Sequence, residues 1–307
     1  AASVDRLLPP EWVAQLQRLE WASKARKEGM ITGRHTSPDK GSSVEFDEHR
    51  MYVPGDDPRH LDWRLFAKSD RYMIKQYVEE TNLRACLVVD SSASMSYAGS
   101  RAVRGPDGEP MSKFDVGRRL AASLAFMLLR HQDSTGLATF GNDDLAWLRP
   151  TNRRGQLHHI LERLIDLQPT RTAPLAPLLH SLAERLPRRS MVMIVSDFFD
   201  DTEEVLEAFH HLHFRRHEIV VMHVMAEEER TFPFGESSSF VDLEDQASSL
   251  QIEPETLRAE YIEQVQAYLK AFQQGCGRMH ADYLHIDTAQ ALEPLLAGFL
   301  SRRMERG

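Results

Sequence analysis

The 307-residue sequence predicts an α/β fold: a doubly wound, mostly parallel sheet with helices on both faces, plus a small N-terminal accessory subdomain. Near-continuous apolar runs at residues 85–90, 191–197 and 218–225 are typical of strands that are buried on both faces. Helical patterns separate these runs, and strands that alternate with helices favour a parallel sheet. A chain of this length can form one large domain or two unequal ones.

The first part of the chain differs in pattern from the rest. Residues 10–30 carry apolar residues such as Trp12 at helical spacing, which predicts an amphipathic helix. Residues 31–83 are rich in turn-forming and aromatic residues, and they end in an alternating segment that is typical of a half-buried strand. We therefore assign residues 1–83 to an N-terminal helix with an accessory β-rich subdomain, and residues 84–307 to the larger α/β domain.

The larger domain is predicted to alternate strands and helices along its length. Most of the apolar runs are followed by a segment with apolar residues on one helical face, and two short strands surround an Asn-Asp turn. A charged segment at residues 227–239 interrupts the alternation as an exposed excursion. The predicted strands are residues 85–90, 136–141, 145–150, 191–197, 218–225, 239–245 and 282–286, and the predicted helices are residues 113–131, 156–165, 175–186, 202–213, 256–273 and 289–302.

Charge and composition argue against several classes of protein. The chain has 37 Lys and Arg against 46 Asp and Glu, a net charge of -9, which argues against a broad surface for nucleic acid or anionic membranes. Its cysteines, Cys86 and Cys276, lack paired-ligand spacing, and Cys86 is interpreted as a small buried hydrophobe. No stretch reaches the roughly 18 apolar residues of a membrane helix, and the first residues lack signal-peptide features. We therefore expect a cytoplasmic, reducing location.

The motif Asp90-Ser91-Ser92-Ala93-Ser94 directly follows the first buried strand of the larger domain. Ligands of an open α/β sheet bind outside the carboxyl ends of the strands, so this turn is expected to present one carboxylate and two hydroxyls there. These hard oxygen ligands suit Mg²⁺ or Mn²⁺ and match soft metals poorly. Because few of them are charged, the bound ion would keep enough positive charge to accept a carboxylate from another molecule.

Two further loops are predicted to reach the same place. Asp197 ends another buried strand, and Thr172 lies in the loop before the helix that leads into that strand. Three loops are therefore expected to converge on one ion, and their combination is more specific than any one loop alone. The predicted metal ligands are Asp90, Ser92, Ser94, Thr172 and Asp197.

Each of these polar residues has an alternative role. Ser92 or Ser94 can cap the turn that follows, because Ser is a favoured N-cap residue. Thr170 is close enough in sequence to replace Thr172 as the ligand from its loop. Asp200 is interpreted as the cap of the following helix, with Glu203 completing a capping box.

The residues around the motif resemble a known family. Asp90-x-Ser92-x-Ser94 looks like the metal-ion-dependent adhesion site of von Willebrand factor A domains. The segment upstream is similar to the signature of the bacterial "domain of unknown function fifty-eight" family, and the resemblance covers residues 33–201. The matching upstream residues are Glu45-Phe46, Arg50, Tyr52, Pro54-Gly55-Asp56, Arg59 and Asp62-Trp63.

This resemblance implies a von Willebrand factor A, Rossmann-like fold and a partnership with MoxR-type AAA+ ATPases in assembling or activating other complexes. The implied partner is the ATPase or its client protein. The charge balance and the lack of a long apolar stretch lead us to expect neither nucleic-acid binding nor direct membrane insertion. The second loop departs from the adhesion-site pattern, because Thr172 is followed by Ala-Pro where Thr-Asp is more usual. Arg101 and Arg104 lie in the polar loop of residues 96–113, which we expect to form the rim that contacts the partner.

We expect a metal-dependent protein–protein interaction module rather than an enzyme. The chain lacks the GxxxxGK[ST], HExxH and GxSxG motifs, which argues against nucleotide hydrolysis and two common kinds of hydrolase. The alternative is a metal-assisted hydrolase that uses Asp197 as a base at the same site.

Two other features invite a functional interpretation. His210, His211, His213 and His217 suggest zinc, but adjacent histidines on a helix point in different directions and suit the helix C-terminus. The block of residues 50–63 is either a partner surface or a tight turn whose tryptophan packs the accessory subdomain onto the sheet. We favour the turn.

Overall fold

The computed structural model describes residues 7–19, 44–52, 61–79, 83–140, 145–170, 174–234, 238–241, 249–252 and 254–306. The chain divides into two compact units: residues 31–82, and residues 1–30 together with 83–307. In chain order the elements are α1 (residues 10–19), β1 (Val44–Met51), α2 (Trp63–Ser69), β2 (Met73–Glu79), β3 (Arg84–Val89), a 3₁₀ turn (Ala93–Ser96), α3 (Lys113–Arg130), β4 (Ser134–Phe140), β5 (Leu145–Thr151), α4 (Gln156–Asp166), α5 (Leu175–Arg185), β6 (Met191–Ser196), α6 (Thr202–Phe214), β7 (Glu218–Met225), α7 (Glu227–Thr231), β8 (Ser238–Val241), β9 (Ser249–Ile252), α8 (Pro254–Arg278), β10 (Asp282–Asp287) and α9 (Leu292–Arg306).

Six strands form the central sheet of the larger unit in the order β10-β7-β6-β3-β4-β5. All neighbouring strands are parallel except β5, which runs antiparallel to β4 at one edge. The predicted doubly wound, mostly parallel α/β fold is confirmed. Numbered along the chain and read from β5, the order is 3-2-1-4-5-6, so the winding direction reverses between β3 and β6. Ligand sites of such sheets form at this switch point, outside the carboxyl ends of the strands.

Successive residues of β3 face two separate hydrophobic clusters. Leu87 and Val89 lie in the cluster that contains the buried residues of α3, α4 and α9. Cys86 and Val88 lie in the cluster that contains those of α5 and α6. Helices therefore cover both faces, and each fully buried Val or Leu contributes about 1.5–3 kcal/mol to stability. Among the described helices, none is long and apolar enough to cross a membrane.

The helix α1 belongs to the core of the larger unit. Trp12 and Leu16 are buried in the α3 cluster, and the indole Nε1 of Trp12 donates a 2.8 Å hydrogen bond to Ser123 Oγ in α3. The guanidinium of Arg119, also in α3, lies 4.8 Å from the centre of the Trp12 ring. The sequence pattern groups this helix with the accessory subdomain. It groups with the larger unit instead, because its apolar side packs in the cluster that contains the buried residues of α3.

The smaller unit is built on an antiparallel pair of strands, β1 and β2, with α2 between them in sequence. Asp62 caps α2 by accepting hydrogen bonds from the backbone N–H groups of Arg64 and Leu65. Trp63, which we expected to be a packing residue, is 59% exposed and lies edge-on against Phe66. Most of the block of residues 50–63, with its predicted Pro-Gly-Asp turn, lies outside the described residues.

The segment after β7 differs from its prediction. The expected exposed excursion at residues 227–239 begins with the short helix α7, whose residues contact the loop that follows β3. The strand predicted at residues 239–245 is present as β8, which pairs with β9 in a separate two-stranded sheet. The sequence alone does not indicate α7. The segment is highly charged, and its position depends on contacts with residues more than 100 positions away.

Candidate metal-binding site

The predicted metal motif follows β3 at the switch point of the sheet. The backbone N–H of Asp90 donates to the carbonyl oxygen of Val195 at 2.9 Å, which continues the pairing of β3 with β6 by one residue. The chain then turns into the 3₁₀ segment Ala93–Ser96, where the fully buried side chain of Met95 packs into the core. The motif is therefore attached to a rigid part of the sheet.

Two hydrogen bonds hold the carboxylate of Asp90 in one orientation. Its Oδ1 accepts from the backbone N–H of Ser92 at 2.8 Å, and its Oδ2 accepts from the hydroxyl of Ser196 at 2.6 Å. Ser196 is the last residue of β6, so the two strands that flank the switch point share this contact. Outer contacts of this kind orient the ligands of metal sites.

The two hydroxyls of the motif converge on each other. Ser92 Oγ and Ser94 Oγ lie 3.0 Å apart and share a hydrogen bond in which either hydroxyl can donate, and the backbone N–H of Ser92 donates to the carboxylate of Asp90. Mg²⁺ binds oxygen ligands at about 2.1 Å in an octahedron, which places neighbouring ligands about 3.0 Å apart. The spacing of the two hydroxyls therefore fits a pair of adjacent ligands on such an ion. The Asp90, Ser92 and Ser94 side of the crevice fits the implied metal.

Asp197, the other predicted carboxylate ligand, has a different neighbour. Its Oδ2 lies 2.7 Å from the ammonium Nζ of Lys113, the first residue of α3, and its Oδ1 accepts from the backbone N–H of Phe199 at 3.3 Å. Asp197 and Lys113 are both buried. The protein therefore places a cation of its own against this carboxylate, on the same sheet edge as the metal motif.

Lys113 also contacts a second carboxylate and an aromatic ring. Glu229 of α7 lies 2.5 Å from its ammonium, and the ring centre of Phe199 lies 4.7 Å away. Burial lowers the pKa of Lys113, but the charges of Asp197 and Glu229 outweigh burial and hold this pKa above its usual value. Burial also raises the pKa of Glu229 in spite of the nearby ammonium.

Lys113 is a site residue that we did not predict from the sequence. One signal was available: Lys113 occupies the first turn of a helix, where the positive end of the helix dipole favours acidic residues instead. A buried lysine at that position needs compensating carboxylates, and these come from the loop after β6 and from helix α7, both distant in sequence. Their approach depends on the sheet order, which the sequence alone does not show.

The remaining residues predicted from the sequence are Thr170 and Thr172, the candidate ligands before α5, and the cap of α6. Thr172 lies outside the described residues, and Thr170 is exposed, with its backbone N–H donating to Gln168. The cap of α6 is Asp201, not Asp200 as we expected. The carboxylate of Asp200 instead accepts a 2.6 Å hydrogen bond from the backbone N–H of Leu175, at the start of α5. Asp200 was misassigned because two adjacent aspartates compete for one cap.

The predicted rim residues lie on the loop between the metal motif and α3. Arg101 forms an ion pair of 2.8 Å with Glu227 of α7, and its side chain is 73% exposed. Arg104 is exposed and donates to the carbonyl oxygen of Gly108 at 2.7 Å. Both side chains are thus held at the surface by local contacts, and their role in partner binding stays a prediction.

The described part of the chain contains no group of three or more His, Cys, Asp or Glu side chains arranged to hold a metal ion. The candidate site consists instead of one carboxylate and two hydroxyls. The histidines that suggested zinc are separated: His211 lies against His180 of α5 with their Nδ1 atoms 3.0 Å apart, whereas His217 contacts the backbone N–H of Ser190.

The fold and the site together define a doubly wound α/β domain with a candidate cation site at its switch point. Residues 48–270 match the family described as "Protein of unknown function DUF58", and the chain belongs to this family. Uncharacterized proteins of Mycobacterium tuberculosis and Mycobacterium bovis are each 30% identical to it over 194 residues, which is 62% of this chain. The match spans 58% of the length of these relatives.

Solved structures show weaker likeness. The conserved hypothetical protein BatB from Bacteroides thetaiotaomicron aligns with 73% of this chain and 100% of its own, at 13% identity and a TM-score of 0.46. The SpRpn10 VWA domain aligns with 73% of this chain and 95% of its own, at 12% identity and a TM-score of 0.37. Likenesses at this level carry no argument about the function of this chain.

Proposed function

We propose that this protein is a metal-dependent protein–protein interaction module that binds Mg²⁺ or Mn²⁺ through Asp90, Ser92 and Ser94. The observation that carries the proposal is the 3.0 Å approach of two hydroxyls beside an oriented carboxylate at the switch point of the sheet. Thr172 remains a proposed ligand of the second loop. The metal would supply a positive charge that faces outward from the carboxyl ends of the strands.

A carboxylate of the partner is the proposed ligand for the exposed side of the ion. Mg²⁺ keeps several bound waters when a protein offers few charged ligands, and exchanging one water for a carboxylate is feasible. One carboxylate and two neutral hydroxyls leave net positive charge on the ion, which favours that exchange. The loop that carries Arg101 and Arg104 would contribute the surrounding contact area.

The proposed partner is a MoxR-type AAA+ ATPase or its client protein, and the proposed role is in assembly or activation of other complexes. This part of the proposal is supported by membership of the family that the upstream residues and the metal motif indicated. We propose no enzymatic activity for the site. The hydrolase alternative requires Asp197 as a base, but its carboxylate oxygen lies 2.7 Å from the ammonium of Lys113, so a bound cation already occupies the position that a water would need.

Metal binding is tested by calorimetric titration with Mn²⁺. The wild type should bind the ion, and the Ser92→Ala/Ser94→Ala double variant should lose that binding, because two ligands are removed. Ser96→Ala is the matched control, since the Ser96 hydroxyl donates to the carbonyl of Ala93 instead of facing the other two. Equal Mn²⁺ binding by the wild type and the double variant would exclude the proposed site.

Partner binding is tested by affinity pull-down from native extract with Mg²⁺ or with EDTA. We expect a partner that is recovered by the wild type in Mg²⁺ and lost in EDTA or with Asp90→Ala. A partner that binds equally well in EDTA and to the Asp90→Ala variant would show that the metal is not the bridge between the two proteins.

A further inference from the structure

We propose that the ammonium of Lys113 acts as an internal cation that binds the carboxylate of Asp197. The metal ion is then held only by the ligands on the Asp90 side of the crevice, and its affinity is low. This inference rests on the proposed metal-binding function and names the residue that sets its affinity. Lys113 is therefore a positioning residue, because it acts on the metal through Asp197.

Three separate parts of the sheet edge converge on the ammonium of Lys113. The lysine begins α3, Asp197 follows β6, and Glu229 lies in α7 after β7. Lys113 is 0% exposed, so water does not compete for its charge. A buried ammonium is costly unless carboxylates compensate it, and two carboxylates at 2.7 and 2.5 Å meet that requirement.

The alternation of side chains along β6 explains why Asp90 and Asp197 have different neighbours. Val195 lies in the cluster on the α3 face, and Ile194 lies in the cluster on the opposite face. Successive side chains of a strand point to opposite faces, so Ser196 and Asp197 are expected to diverge. The contacts agree with this expectation, because Ser196 bonds to Asp90 and Asp197 bonds to the lysine that begins α3.

Helix α7 fixes this arrangement through three consecutive glutamates. Glu227 pairs with Arg101, Glu228 accepts from the backbone N–H and hydroxyl of Ser100, and Glu229 pairs with Lys113. The backbone N–H of Ala226 also donates to Glu229, at 2.7 Å. The helix therefore holds both the loop after the metal motif and the lysine, so the ammonium is not free to leave Asp197.

A divalent ion at the Asp90 side would meet two effects of this lysine. The carboxylate of Asp197 is already neutralised by a bound cation, and the ammonium itself repels a second cation nearby. Replacing the lysine by a neutral residue removes both effects. Metal affinity should then rise, whereas loss of a merely structural residue would leave the affinity unchanged or lower it.

The test is Mn²⁺ titration of a charge-balanced pair of substitutions, Lys113→Gln/Glu229→Gln, which removes one cation and one carboxylate together. We expect the Mn²⁺ dissociation constant to fall about tenfold relative to the wild type, as for a difference of one decade in affinity. Adding Asp197→Asn to this pair should reduce the gain, because it removes the carboxylate that loss of the lysine exposes, whereas the gain from removing the repelling ammonium remains. Lys270→Gln/Glu263→Gln, an exposed pair on α8, is the control for changing one charge of each sign.

Unchanged or weaker Mn²⁺ binding by the folded Lys113→Gln/Glu229→Gln variant would overturn the inference. If that double variant fails to fold, the single Asp197→Asn variant tests the inference instead. We expect it to leave Mn²⁺ affinity within about twofold, and a tenfold loss would show that Asp197 ligates the ion in the wild type. That result would leave the metal-binding function standing. Absence of Mn²⁺ binding by the wild type would contradict both the metal-binding function and this inference.

Discussion

Asp90 and Asp197 follow adjacent parallel strands at the same edge of the sheet, yet they have different surroundings. The carboxylate of Asp90 accepts hydrogen bonds from the backbone N–H of Ser92 and from the hydroxyl of Ser196. The carboxylate of Asp197 is neutralised by the buried ammonium of Lys113. An aspartate at the end of a strand therefore does not define a metal ligand by itself. We expect the charge of the groups that contact it to decide which cation it binds.

The largest expected effect comes from removing the internal cation. Lys113→Met leaves the buried carboxylate of Asp197 and the mostly buried carboxylate of Glu229 without their ammonium, and breaking a buried ion pair in this way costs about 3–5 kcal/mol. The free energy of unfolding in denaturant should fall by that amount. The Lys113→Gln/Glu229→Gln variant should lose less, because it removes one of the two carboxylates as well. A loss below about 1 kcal/mol for Lys113→Met would contradict the structural contrast between the two aspartates.

The Asp90 side should differ mainly in its response to metal. Without metal, Asp90→Ala is expected to cost about 1–3 kcal/mol, because Asp90 is buried and the Ser92 N–H and Ser196 hydroxyl lose their acceptor. At a Mn²⁺ concentration about 100 times the dissociation constant, the wild type should gain about 2.7 kcal/mol that the variant does not gain. Thermal unfolding with and without Mn²⁺ measures this difference, with Ser96→Ala as the control. Equal gains for the wild type and Asp90→Ala would refute the prediction.

A smaller effect is expected from the residue that orients Asp90. Ser196→Ala removes the hydroxyl that donates to Asp90 Oδ2, and losing such an outer contact costs about tenfold in metal affinity. Mn²⁺ titration tests this prediction. Ser91→Ala is the matched control, because the buried Ser91 hydroxyl donates to the carbonyl of Phe140 and not to Asp90. Similar affinities for the two variants would mean that the orientation of Asp90 does not matter.

The sheet and the position of the predicted metal motif could be inferred from the sequence because both depend on local patterns. Apolar runs of six to eight residues identify strands buried on both faces, and the position of Asp90 directly after one of them locates it at the sheet edge. The hydroxyls of Ser92 and Ser94 follow from their spacing within a single turn.

The contacts that give Asp90 and Asp197 different neighbours could not be predicted from local sequence patterns. Lys113 and Glu229 are 116 residues apart, and no local pattern in either segment refers to the other. The helix α7 that carries Glu229 is only five residues long and strongly charged, so its sequence resembled an exposed loop. The position of α1 likewise depended on a distant surface, the side of α3 that contains Ser123.

The smallest effect is expected at the exposed end of the α7 contacts, where Glu227 meets Arg101. Like the pair between Glu229 and Lys113, this pair joins a carboxylate of α7 to a cationic side chain, but the Arg101 side chain is 73% exposed and solvent screens its charge. Arg101→Gln should therefore change the free energy of unfolding by less than about 1 kcal/mol and leave Mn²⁺ affinity unchanged. Partner recovery should fall and become less sensitive to salt, because rim charges act mainly on association. Arg104→Gln, whose side chain bonds to a neighbouring backbone carbonyl instead of to α7, separates a general charge effect from one specific to this pair. A stability loss for Arg101→Gln as large as that for Lys113→Met would show that the exposed and buried ion pairs of α7 contribute equally to stability. Burial would then not explain the difference between the two ion pairs.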